Sequence, residues 1–136
     1  QAMVKVGVNA ATDITGFGLL GHLRVMVEAS GVGARIRLAS VPVIPGTREL
    51  IAAGIAPGGT HRNLSSVSQA VRWHPGVDRE AQILLADAQT SGGLLMSVPP
   101  DRVDALLDEL KAQGVRDAAV IGVVVPNGQP RIEVTP

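Results

Sequence analysis

An α/β (α+β) fold, a mixed β-sheet flanked by helices, is predicted by three observations on this sequence. Segments with apolar residues three or four apart alternate with short segments in which they fall at every second position. The 46% hydrophobic content comes from Ala, Val, Ile and Leu, with Phe17 and Trp73 the only aromatics, which suits helix-on-sheet packing through small side chains. Sixteen glycines and nine prolines sit mostly between these segments, where unusual or fixed backbone dihedrals end an element.

Val4 to Val8 is the only strand-like stretch before the first long helix, which spans Thr15 to Ser30. Phe17, Leu20, Leu23 and Val27 form its apolar stripe, Leu19 and Met26 widen it, Asp13 or Thr15 would cap it, and Gly31 suits the left-handed position past its end. The period then changes to two: Val32, Ala34, Ile36 and Leu38 face one way, Arg35 and Arg37 the other, as in a half-buried strand. Pro42 and Pro45 break the chain before a short helix from Gly46 to Ala53, closed by Gly54. Pro57-Gly58-Gly59-Thr60-His61-Arg62-Asn63 reads as a polar loop because its backbone is so permissive. A short helix over Leu64 to Val71, a turn at Trp73-His74-Pro75-Gly76 and a helix from Asp78 to Ala86 with Ala81, Leu84 and Leu85 inward follow.

In the last third, Leu94 to Val98 reads as a strand, and Pro99-Pro100-Asp101 opens a helix lined by Val103, Leu106, Leu107 and Leu110 and stopped at Gly114. Ala118 to Val125 reads as a buried apolar strand, joined through an Asn127-Gly128 hairpin turn to a last strand carrying Ile132 and Val134.

Residues 1–136 are enough for one domain with a proper core. Twelve basic and twelve acidic side chains balance, and two aromatics give no stacking platform, so no nucleic-acid partner is expected. The absence of cysteine excludes disulfides, thiolate zinc sites and thiol nucleophiles within this chain. No run of 18 apolar residues and no leader pattern is present, so no membrane association and a cytoplasmic location are expected. Met3 is not the first residue, which leads us to expect a chain that starts after a trimmed tag or inside a longer protein.

Three segments invite chemistry. In Ala11-Thr12-Asp13-Ile14-Thr15-Gly16-Phe17-Gly18-Leu19-Leu20-Gly21-His22, glycines 16, 18 and 21 spell G-x-G-x-x-G. A dinucleotide fingerprint needs a strand running straight into the first glycine and an acidic residue about 20 positions on. Here Arg35 and Arg37 stand near that place, so only a cofactor with a 2′-phosphate, such as NADP, would be conceivable. Asp13 is more informative. A carboxylate ahead of a helix start is stabilised by the dipole but repels an arriving phosphate, a conflict that a divalent cation removes. An N-cap without a ligand is the simpler alternative on composition. In Asp87 to Leu94, the amides of Ser91 to Gly93 could form an anion nest or simply a tight turn. In Gly58 to Asn63, Arg62 is a candidate phosphate fork and Asn63 a candidate helix cap. His22, read as lying on a helix flank, His61 and His74 show no metal-binding spacing, and no catalytic triad or carboxylate pair stands out.

The Ala11-to-Leu23 block, Pro57-Gly58-Gly59-Thr60 with Arg62-Asn63, and Asp87 to Leu94, in that order, resemble the selenophosphate synthetase (selenide, water dikinase) family of the aminoimidazole ribonucleotide synthetase superfamily. Val41 to Gly46 and Ile121 to Val124 fit as well, so the likeness spans nearly the whole chain. Ala88, where the family usually has proline, and Asn9, where histidine is common, depart from the pattern.

The resemblance implies the C-terminal half of a two-domain enzyme that makes selenophosphate, AMP and orthophosphate from selenide, ATP and water. It implies Mg²⁺ as cofactor, Asp13 as a magnesium ligand, and Thr12 and Gly16 as part of the wall facing the ATP phosphates. No catalytic residue is implied in this half. The nucleophile, the nucleotide loop and most magnesium ligands would lie in an N-terminal domain that also forms the homodimer core, leaving this part inactive alone and apolar where that domain docks. Another synthetase of the superfamily, or a non-catalytic module binding an anion or a partner, are the alternatives.

Overall fold

The computed structural model describes residues 1–126 and 131–136. Four strands form a mixed sheet in the order β3 (Val71–Trp73), β6 (Ile132–Thr135), β2 (Val32–Arg37), β5 (Gly122–Pro126). β6 runs parallel to both β3 and β2, whereas β5 is antiparallel to β2. A separate antiparallel ladder joins β1 (Ala10–Asp13) to β4 (Leu94–Ser97).

Helices α2 (Gly18–Ser30), α4 (Gly58–Val67) and α5 (Arg79–Leu85) supply the rest of the core. Leu20, Leu23 and Val27 of α2 meet Ala34 and Ile36 of β2, Ile132 and Val134 of β6, and Leu64, Val67 and Leu85. Arg35 and Arg37 point away from this cluster, and Arg35 pairs with Glu133 across the sheet at 2.9 Å. That pairing holds the Glu133 carboxyl below its ordinary value. The short α3 (Thr47–Ala52) leans on α5, and Gly31 closes α2 at φ 65° as its position demands.

Several expectations are corrected. Val4 to Val8 is not a strand: Ala2–Val6 forms helix α1, which buries Ala2 and packs on α6 (Val103–Ala112). Its apolar positions follow a helical spacing, with Ala2 inward and Val4 81% exposed. Pro57 to Asn63 is not a loop, because α4 opens at Gly58. Thr60, Leu64 and Val67 share one buried face, and that burial overrides the weak helix propensity of two glycines. The predicted Leu64–Val71 helix therefore ends at Val67, and Trp73 belongs to β3, leaving His74 to Val77 for the turn.

The strand expected from Ala118 begins at Gly122 and is not buried. Among the described residues β5 has a partner on one side only, and Val123 and Val124 are more than half exposed. The Asn127-Gly128 turn lies outside the described residues, but its flanking strands do not form a hairpin ladder, since β2 lies between them. The dinucleotide reading fails for a related reason. β1 and β2, on either side of α2, belong to different sheets, so there is no parallel strand–helix–strand unit to receive a pyrophosphate.

Lys5 of α1 pairs with Glu109 of α6. Its hydrogen bond, followed by that from Gln113, holds the Glu109 carboxyl below its ordinary 4.5. A lowered carboxyl value means that this tie favours the folded state above the unfolded value and is lost as pH falls through the folded one. Lys5→Met should move the Glu109 midpoint up toward 4.5 in an NMR titration; an unmoved midpoint would remove Lys5 as the cause. Leu20 is fully buried, so Leu20→Ala should cost about 2–5 kcal/mol in urea unfolding.

Candidate functional site

The three sequence blocks singled out above, far apart in the chain, meet at the start of α2. β1 carries Thr12 half-buried and ends on Asp13, whose register partner on β4 is Leu94. The ladder continues past the strand, because Ile14 N–H donates to the Gly93 carbonyl at 2.8 Å and the Ile14 carbonyl accepts from Gly92 N–H at 3.1 Å. Gly92's amide, one of the three considered for an anion nest, is thereby used by the ladder.

The turn from Ile14 to Gly18 is held by its backbone groups. The Thr15 carbonyl accepts from Gln89 N–H at 3.1 Å and from Gly18 N–H at 3.0 Å, while Thr15 N–H donates to His22 Nε2 at 3.1 Å. The Gly16 carbonyl accepts from the Asn63 side-chain amide at 2.8 Å, and the same amide donates to the Ala86 carbonyl at 3.1 Å. Asn63 is therefore a clamp inside α4 and not a helix cap.

One turn earlier on α4, Thr60 is the one fully buried polar side chain among the described residues. Its hydroxyl donates to Asp87 Oδ1 at 2.6 Å and accepts from Ala88 N–H at 3.1 Å. Gly18 packs onto the same corner. At its φ of 70°, a Cβ would come within 2.7 Å of the Ala86 and Asp87 carbonyl oxygens, so only glycine fits.

Asp13 is not the cap of α2, whose N-cap is Phe17 with no side-chain bond. Its side chain is exposed at the end of β1 and makes no hydrogen bond among the described residues, while its backbone carbonyl accepts from Thr12 Oγ1 at 3.2 Å. Gly16 is exposed as well, with no atom within 4 Å of where a Cβ would be. Arg62 is exposed and lies over the Gly58-Gly59 start of α4. Leu94, 57% exposed, puts apolar surface opposite Asp13 across the ladder, and Phe17, 64% exposed, caps the start of α2. Among the described residues no group of three or more His, Asp or Glu is placed to hold a metal.

The sequence reading missed Thr60, Asn63 and His22 as the parts that shape this turn. The spacing Thr60, Leu64, Val67 would have revealed Thr60 facing inward; nothing local signals the partners of Asn63 or His22.

The chain is thus a mixed-sheet α/β domain with an exposed carboxylate on the glycine-rich segment ahead of its longest helix. The family model described as AIR synthase related protein, C-terminal domain, matches residues 1–135, and the chain belongs to that family. It is 43% identical over 130 residues to a selenide, water dikinase of Clostridioides difficile (strain 630), covering 96% of this chain and 37% of that protein. It is 48% identical over 123 residues to one of Porphyromonas gingivalis (strain ATCC 33277), covering 90% and 35%. It is 47% identical over 130 residues to one of Myxococcus xanthus (strain DK1622), covering 96% and 36%. The chain thus spans little more than a third of the length of these relatives.

Gly18→Ala should lower stability by about 2–4 kcal/mol in chemical denaturation, combining left-handed strain with overpacking against the Ala86 corner. Thr60→Val keeps the volume but leaves Asp87 and Ala88 without their partner, and should cost about 1–3 kcal/mol. A Thr60→Val protein as stable as the parent would show that the hydroxyl does not hold this corner.

Proposed function

We propose that this domain is the C-terminal part of a selenide, water dikinase, which makes selenophosphate from selenide, ATP and water and releases AMP and orthophosphate. The domain supplies one magnesium ligand, Asp13, and part of the cleft for the ATP phosphates, with Thr12 and Gly16 in its wall. The single observation that carries this reading is the Asp13 carboxylate: exposed, with no side-chain hydrogen bond among the described residues, at the end of a ladder that continues through the Ile14 backbone groups.

The donor chemistry fits the ion. Mg²⁺ takes hard oxygen ligands, and commonly one or two protein carboxylates with phosphate oxygens and water. One carboxylate from this domain leaves room for ATP oxygens and for groups on the rest of the enzyme, in keeping with the lack of a ligand cluster among the described residues. When bound, the ion neutralises charge that gathers on phosphate oxygens during transfer.

This chain's own contribution is placement. The β1–β4 ladder fixes where Asp13 leaves the sheet, and the Ile14 and Thr15 hydrogen bonds stop the following turn from swinging. Gly16 presents bare backbone, over which a phosphate can approach closely without meeting a side chain. The apolar rim of Phe17 and Leu94 is suited to being covered by the remainder of the longer enzyme, keeping water from the phosphates. In the same reading the complete enzyme is a cytoplasmic homodimer, and this domain alone is inactive.

In the complete enzyme, Asp13→Asn should reduce selenide-dependent AMP formation by about 100-fold or more while the circular-dichroism melt stays unchanged. Normal turnover in that variant would refute the role of Asp13. The 136-residue chain given ATP, Mg²⁺ and selenide should form no AMP; measurable AMP would overturn the division of labour between the two halves.

A further inference from the structure

We propose that His22 is the positioning residue for Asp13: its imidazole holds the Thr15 amide and so sets the turn that follows the metal-binding carboxylate. This rests on the reading of Asp13 as a magnesium ligand.

A count of the backbone groups leads to it. Ile14 N–H and C=O pair with Gly93 and Gly92, the Thr15 carbonyl pairs with Gln89 and Gly18, and the Gly16 carbonyl is clamped by Asn63. Thr15 N–H is the one group in this run tied to the side chain of the helix it precedes, at 3.1 Å from His22 Nε2. The Thr15 hydroxyl lies 3.1 Å from the same nitrogen, so two polar groups of Thr15 converge on it. An Nε2 that accepts an N–H does so through its ring lone pair.

The device resembles one arm of a capping box, in which a side chain within the first turns of a helix reaches back to an amide before it. Here it does what the N-cap position does not, since Phe17 offers no polar side chain. The Phe17 ring instead packs against the imidazole, with centroids 5.6 Å apart and planes tilted by 44°, which restricts the ring's rotation. Only Ile14 separates Thr15 from Asp13, so the peptide that His22 holds is the next one along from the Asp13–Ile14 peptide and bears on where the carboxylate leaves the ladder. Groups that orient a metal ligand from behind typically affect affinity by about 10–100-fold when removed.

The test uses the complete enzyme with His22→Leu, His22→Gln and Asp13→Asn, read by the Mg²⁺ concentration for half-maximal AMP formation and by amide hydrogen exchange in the peptide spanning Thr15 to Gly18. His22→Leu removes the acceptor and should raise the Mg²⁺ requirement by about tenfold and speed exchange in that peptide. His22→Gln, whose amide oxygen can occupy the Nε2 position, should recover most of both. If His22→Leu leaves the Mg²⁺ requirement unchanged while Asp13→Asn abolishes activity, the role of His22 is overturned and that of Asp13 stands. If His22→Gln folds but is as impaired as His22→Leu, the acceptor is not what matters and the proposal fails. If Asp13→Asn retains the parent's Mg²⁺ requirement, the reading of Asp13 falls, and the inference with it.

Discussion

The buried hydroxyl of Thr60 is the constraint on which the site depends. A hydroxyl removed from water is costly unless its hydrogen-bonding capacity is used, and here one donation to Asp87 and one acceptance from Ala88 N–H satisfy it. Among the described residues no buried side-chain polar atom is left without a partner. These two bonds fix the first turn of α4 against the corner that ends α5. With that corner in place, Asn63 one turn on can span the Ala86 and Gly16 carbonyls, and Gly18 can settle against Ala86. The turn after Asp13 is therefore positioned from behind by a helix and a loop that are remote in the chain.

The carboxylate sits outside the main sheet. The four-stranded sheet and its helices make the core, with apolar side chains on one face and the arginines of β2 on the other. Asp13 leaves instead from the small β1–β4 ladder, where the burial pattern alternates and the strand is short. Stability and site are thus carried by different sheets, joined through α2, whose Leu20 and Leu23 lie in the core while its first residue closes on the site.

How much of this was legible in the sequence followed from the range of each interaction. α2 and β2 could be read because their patterns are local, Leu20, Leu23 and Val27 at helical spacing and then alternation over Ala34 to Arg37, but Phe17, expected in the stripe, is exposed ahead of the helix, which starts at Gly18 and not Thr15. β1 could not, since Ala-Ala-Thr-Asp has little strand character and becomes a strand only because Leu94 to Ser97 lies beside it. α4 was hidden by its glycines, although its inward face has ordinary helical spacing. At the site, Asp13 drew attention through the conflict between a carboxylate and an arriving phosphate, an argument that needs no fold. Its alternative reading as a cap did not survive, because the helix starts later and the intervening turn uses backbone groups. Thr60 and Asn63 stayed silent because their partners lie 23 to 47 residues away.

The position of β6 has a consequence for how this chain comes to be folded as it is made. This strand, the sixth among the described residues, is interior to the sheet, hydrogen-bonded to β3 on one side and β2 on the other, and its Glu133 meets an Arg35 that lies 98 residues earlier in the chain. Until it leaves the ribosome, β2 and β3 have a gap between them and the undersides of α2 and α4 have no floor. The core beneath α2 and α4 therefore closes only once β6 has been inserted, so folding of this sheet waits on contacts between segments distant in the chain, which form slowly.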